Sequence, residues 1–265
     1  MNGAADPVGA AAALIEAARG LGTLLKGGWR PQRTIILALW DGEEWGLLGS
    51  TEWAEAHAAE LDQKAVAYLN TDMYTKGVFD ADGSATLRTF VEQVARDVKD
   101  PATGQSLLDR TRATALARAK NGQDSATLAR RGFELSPPGS GTDFEAFLEH
   151  LGIATVSHEF GSGLHAGTYH SIYDSFENFT RYLDPGFHYG AAQARVVGTM
   201  AFVWATRPSC LSRSRMRRTP TCTPRAQFPV PRRDWAPSVW TLARCSRPSI
   251  TWSEPARATT PLTAP

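Results

Sequence analysis

TIILALWDGEE, Thr34–Glu44, runs seven residues with scarcely a polar side chain and then breaks at a glycine into consecutive glutamates. An apolar run of that length, without alternation, reads as a strand buried on both faces, the habit of parallel sheets. AVAYLN, Ala65–Asn70, is a second run of this kind and leads into Thr71-Asp72; Ile153–Val156 is a third. Helical periods lie between and around them. Residues 7–25 carry Leu14, Ala18, Leu21 and Leu25 on one face, with Pro7 suited to the first helical position. Ser50–Ala59 reads as a helix capped by Ser50, and 84–99 as an amphipathic helix on Leu87, Phe90, Val91 and Val94. Asp143–Leu151 is a short helix, and Asp184–Ala205 a long one that would close the domain. Strands alternating with helices predict an α/β sandwich.

Composition narrows the function classes. A formal net charge of +1 gives no bulk attraction to nucleic acid or to an acidic substrate. No stretch approaches the roughly 20 apolar residues of a membrane-spanning helix, so no membrane segment is expected. The N-terminus lacks a basic-then-apolar signal pattern and enters a helix at once, which suits a fragment or a late start codon. Cys210, Cys222 and Cys245 match no zinc or disulfide framework, leaving the compartment unknown. Character changes near residue 207. From Leu211 to Pro265 there are ten Arg, nine Pro, no Lys and no Gly, too much proline for sustained helix or central strand. The expected organisation is therefore a domain over 1–206 and a disordered Arg/Pro-rich tail over 207–265 that carries no chemistry. Arginine without lysine also fits translation out of frame from a GC-rich gene.

The acids mark the chemistry. Ligands of open α/β sheets bind beyond the carboxyl ends of the strands. The first two runs end there in Glu43, Glu44 and Asp72. Acids gathered on one rim repel unless a cation holds them. Any one of them alone reads as an ordinary solvated loop residue. His170, in the turn-rich stretch Gly167–Ser171, is spaced to reach the same rim; His158 and His165 are lesser candidates, and His57, His150 and His188 fall on helices. Carboxylates with an imidazole suit zinc.

The stretch Trp40–Ser50, WDGEEWGLLGS, closely resembles the signature of the zinc exopeptidase family that contains glutamate carboxypeptidase and the transferrin receptor-like proteins. Supporting blocks follow in the family's order: Gly28–Pro31, Val66–Asn70, Gly139–Glu145 and Tyr169–Tyr173. The likeness covers most of residues 3–206. It implies a zinc aminopeptidase-like three-layer sandwich, with a mostly parallel mixed central sheet and helices on both faces. It implies two zinc ions, with Asp6 bridging them, Glu44 and His170 completing one shell, and Asp72 binding the other. Glu43 matches the general base, Tyr169 the tyrosine that hydrogen-bonds the substrate carbonyl, and Gly141 and Thr142 a substrate-binding stretch. The implied reaction is exopeptidase cleavage of a peptide substrate, in a full-length parent that could be a homodimer.

Departures from the family pattern shape the expectation. The family's first histidine ligand lies about ten residues before the bridging aspartate. Only five residues precede Asp6, none of them histidine, so one zinc site is expected to be incomplete and this chain weak or inactive. Glutamate-specific members carry arginines after the third strand, where Val156–Phe160 here has none and offers Glu159 instead. Thr142 stands where those members have asparagine. Aminopeptidase or dipeptidase action is favoured accordingly. The rival reading is a non-catalytic binding protein like the transferrin receptors, which have lost the metal ligands; retention of Asp6, Glu43, Glu44, Asp72 and His170 argues against it.

Overall fold

The computed structural model describes residues 2–123, 133, 135–161 and 167–206. The expectations for the 207–265 tail and for His165 lie outside these residues.

Three strands form a mixed sheet in the order β1-β3-β2: β1 Tyr68–Asn70, β2 Val78–Gly83 and β3 Thr155–Gly161. β1 runs parallel to β3 with Asn70 opposite Ser157; β2 runs antiparallel to it with Phe79 opposite Phe160 and Asp80 opposite Glu159. Of the two pairings only one is parallel. The "mostly parallel" expectation is corrected to that extent among the described strands. Alternation along β3 divides its side chains between two layers. Val156 and Phe160 join a large core with Phe79 and Ala81. Tyr68 of β1 faces a smaller core of Ala54, Phe147 and Ile153.

Helices supply both layers. α1 (Ala10–Lys26) follows a wide turn over Ala4–Gly9, so Pro7 precedes the regular helix rather than opening it. α2 (Leu48–Ala56) and α3 (Ala58–Lys64) replace the single helix expected over Ser50–Ala59. Ser50 is not the cap: it lies fully buried inside α2, its hydroxyl donating to the Leu47 carbonyl at 3.2 Å. α4 (Arg88–Asp97) buries Val91, Val94 and Ala95, as its periodicity requires. α5 (Leu107–Arg118) carries no clean apolar stripe, so no period marks it in the sequence. α6 (His188–Thr206) presents Tyr189, Ala192, Val196 and Met200 to the large core at helical spacing. Small residues let α1 lie close against α6, where Ala17 meets Gly198. One helical stretch, Ala4–Lys26, is after all long and apolar enough by composition to cross a membrane. It buries Ala10, Ala13, Ala17 and Leu21 within the fold and leaves Val8, Ile15 and Leu25 exposed.

The run that opened the sequence reading behaves otherwise. Thr34–Trp40 joins no ladder among the described residues, and Ile36 and Leu39 are 63% and 61% exposed. Its ends are nonetheless held. The Gln32 N–H donates to the Ala205 carbonyl at 2.7 Å, and the Trp40 indole N–H donates to the Tyr68 hydroxyl at 3.0 Å. Apolar character states that a segment favours burial; it does not supply the neighbouring strand that would bury it.

Candidate metal centre

Glu43 and Glu44 sit in a single tight turn, Glu43–Trp45, between two glycines with positive φ, Gly42 (69°) and Gly46 (107°). The chain then doubles back so closely that a Cβ on Gly49 would lie 2.5 Å from the Asp41 carbonyl oxygen. The two glycine turns and this close approach explain why the signature is glycine-rich.

Asp6 arrives from the other end of the domain, at the start of the turn before α1, next to a cis peptide to Pro7. It is only 6% exposed. His170 stands in the turn Gly167–Ser171 with φ 54°, and its ring stacks on that of Tyr169 at 3.7 Å between centroids. The three converge. His170 Nε2 lies 3.1 Å from Glu44 Oε1 and 3.3 Å from Asp6 Oδ2, and one donor atom from each residue fits within 4.8 Å of the others.

Around this trio lies an open cleft of about 410 Å³, lined by Asp6, Glu43, Glu44, Asp72, Tyr169 and His170, with Gly141 at its edge. Asp72 faces the same cleft but falls outside the three-residue cluster. It is held by Thr142, whose hydroxyl bonds its carboxylate and also accepts from the Asn70 side chain at 3.1 Å. Thr142 thus braces an acid of the cleft and is not among the residues lining it. Gly141, with φ 105°, donates its N–H to the Glu145 carboxylate. Tyr169 is half exposed at the mouth, its hydroxyl pushed up from the usual tyrosine range by burial and then by Asp6, Glu44, Asp72 and Glu43.

Electrostatics explain what the arrangement can hold. Burial, then the charges of Asp72, Asp143, Glu44 and Asp6, push the Glu43 carboxyl up to about 7. Burial, then Asp6 and Asp143, push Asp72 up to about 6. Asp6 and Asp143 are raised as well, each chiefly by burial. Glu43, Asp72, Asp6 and Asp143 thus crowd charge that a divalent cation would relieve. Oxygen donors with an imidazole nitrogen match zinc, so the residues present fit that ion. The residues that would hold it in common are Asp6, Glu44 and His170.

The sequence profile of peptidase family M28 matches residues 1–184. The chain belongs to peptidase family M28. The zinc exopeptidase family recognised from the signature is thereby the right one. A probable glutamate carboxypeptidase, LAMP1 of Arabidopsis thaliana, is 38% identical over 200 residues, covering 75% of this chain. The probable glutamate carboxypeptidase VP8 of Zea mays is 36% identical over 208 residues, 78% of this chain. The aminopeptidase NAALADL1 of Mus musculus is 34% identical over 211 residues, 76% of this chain. In each case the chain spans 27% of the relative's length.

Other residues stand differently from the expectation. His158 is fully buried on β3, its Nδ1 accepting from the Gln193 side chain at 3.0 Å, so it is a core histidine away from the M28 centre. Two acids carry more weight than the sequence reading gave them. Asp143 adds its charge to Glu43 and Asp72. Asp174 is buried against the backbone of Asp6. Position was the available signal for both: Asp143 directly follows Thr142, and Asp174 stands four residues beyond His170.

Proposed function

We propose that the chain carries the catalytic residues of a zinc-dependent exopeptidase. The observation that carries this reading is the approach of Asp6, Glu44 and His170 to one another from distant parts of the sequence. Membership of M28 and relatives named as carboxypeptidases and an aminopeptidase support hydrolysis of peptides.

Zinc held by Asp6, Glu44 and His170 would lower the pKa of a water and polarise the scissile carbonyl. Glu43, next to a ligand and with a carboxyl raised to about 7, takes the proton of the attacking water and returns it to the departing amine. The Tyr169 hydroxyl, at the mouth of the cleft, donates a hydrogen bond to the carbonyl oxygen as charge grows there. Asp72 would share a second zinc with Asp6. Its position outside the three-residue cluster argues for a weaker second site, hence for feeble activity in this chain. Glu159 in the stretch that carries arginine in glutamate-specific members favours aminopeptidase over glutamate carboxypeptidase action.

The test is Glu43→Gln with zinc present, assayed on aminoacyl anilides and on peptides with a C-terminal glutamate. Hydrolysis should fall by about 10²–10⁴-fold while zinc content stays the same. Hydrolysis unchanged by the substitution excludes Glu43 as base and this mechanism with it.

A further inference from the structure

We propose that Asp174 is a positioning residue that fixes the Asp6 carboxylate against His170; the inference rests on the metal-site reading above. Asp174 is 3% exposed, a carboxylate taken out of water with no place in the peptidase chemistry just described. Such a group needs partners, and it finds them in a distant segment. Its Oδ1 accepts from the Ala5 N–H at 2.8 Å and its Oδ2 from the Asp6 N–H at 3.1 Å. Its own backbone carbonyl accepts from the Ala4 N–H at 3.1 Å, and the Asn2 side-chain amide donates to the Ile172 carbonyl at 2.8 Å. Four bonds therefore lace residues 2–6 to residues 172–174.

The other end of the clamp leads to the imidazole. The Ser171 N–H donates to the Thr168 carbonyl and closes the turn in which His170 stands; the Asp174 N–H donates to the Ser171 carbonyl and closes the turn that follows directly. One side chain thus fixes the backbone of Asp6 while its own peptide closes the turn adjoining that of His170, the two turns sharing Ser171. The two ligand atoms it brings together, Asp6 Oδ2 and His170 Nε2, are 3.3 Å apart. A carboxylate is the right group because it accepts two backbone N–H groups on two oxygens and donates nothing. An amide in its place keeps the shape but turns an NH₂ toward one of those N–H groups.

Asp174→Asn in the full 265-residue chain tests this, with three readouts: zinc affinity by calorimetry, the visible spectrum of the Co²⁺-loaded protein, and amide hydrogen exchange without metal. The expected result is zinc binding weakened about 10–100-fold, the range for partners that orient ligands. It includes an altered Co²⁺ spectrum, faster exchange over residues 4–9 and unchanged exchange in α4. Equal zinc affinity and spectrum in the two proteins overturn the proposal. So does unchanged exchange over residues 4–9, which reads the clamp even if the parent chain takes up no zinc. A parent chain that takes up no zinc, with exchange over residues 4–9 accelerated in the variant, keeps the clamp and removes the metal-site reading. A merely structural acid would loosen α4 along with the turn, which also counts against positioning. Should Asp174→Asn not fold, Asp174→Ser, smaller and with one acceptor oxygen, carries the same comparison.

Discussion

Gly49 shows how much of the M28 signature is backbone geometry rather than chemistry. Its N–H donates to the Asp41 carbonyl at 2.9 Å, and a Cβ there would lie 2.5 Å from that oxygen and 2.9 Å from the Asp41 nitrogen. Both obstacles are backbone atoms, so neither can rotate aside. Gly49→Ala should destabilise the fold by about 1–3 kcal/mol in urea unfolding, the usual range for overpacking. It should also weaken zinc binding, because the turn it displaces carries Glu44. Unchanged stability would show that the turn yields freely. Residue identities were the most legible layer of this sequence. Glu43, Glu44, Asp72, Tyr169 and Gly141 all line one cleft. The His170 imidazole comes within ion-pair distance of both Asp6 and Glu44, at 3.3 and 3.1 Å respectively. Thr142 was legible as a neighbour of the site, but its work as a brace for Asp72 depends on a hydroxyl direction that no pattern encodes.

Among the elements, β3 carries a pH dependence of its own. Burial pushes the His158 imidazole down to about 4 from an ordinary value of 6.5. The unfolded chain would bind that proton first as the pH falls. The stability tied to a neutral His158 is therefore complete above about 6.5 and is lost as the pH drops from there through 4. The difference corresponds to a loss on the order of 3 kcal/mol. Denaturant titrations between pH 7.5 and 4.5 should show a shallower slope for His158→Gln than for the parent; parallel slopes would remove His158 from the account. α4, with its strong stripe, is legible from its period, whereas α5 lacks one and β2, Val78–Gly83, mixes aspartate and glycine with its apolar residues. Both are ordered by what packs on them: Phe79 and Ala81 of β2 and Leu107 and Leu108 of α5 belong to the large core. Tertiary contact, not propensity, decides such segments.

At the scale of the whole molecule, two cores and a small mixed sheet hold together a cleft in which Asp6, Glu44 and His170 meet. The α/β class was legible because strand and helix periods alternate along the sequence. The extent of the sheet was not: Thr34–Trp40 has the composition of a buried strand and yet leaves Ile36 and Leu39 largely in solvent. Pairing is a relation between segments, and one segment's composition cannot specify it. The long-range meeting of Asp6, Glu44 and His170 is likewise a property of the fold, and it is the claim on which the peptidase reading stands. Calorimetric titration of the chain with Zn²⁺, beside its His170→Ala variant, tests it most directly. The account predicts one tightly bound zinc per chain and a further, weaker uptake, with the tight event weakened at least 100-fold or lost when His170 is removed, as expected when a three-ligand site loses its imidazole. No tight binding by the parent chain, or equal binding by the variant, would contradict it.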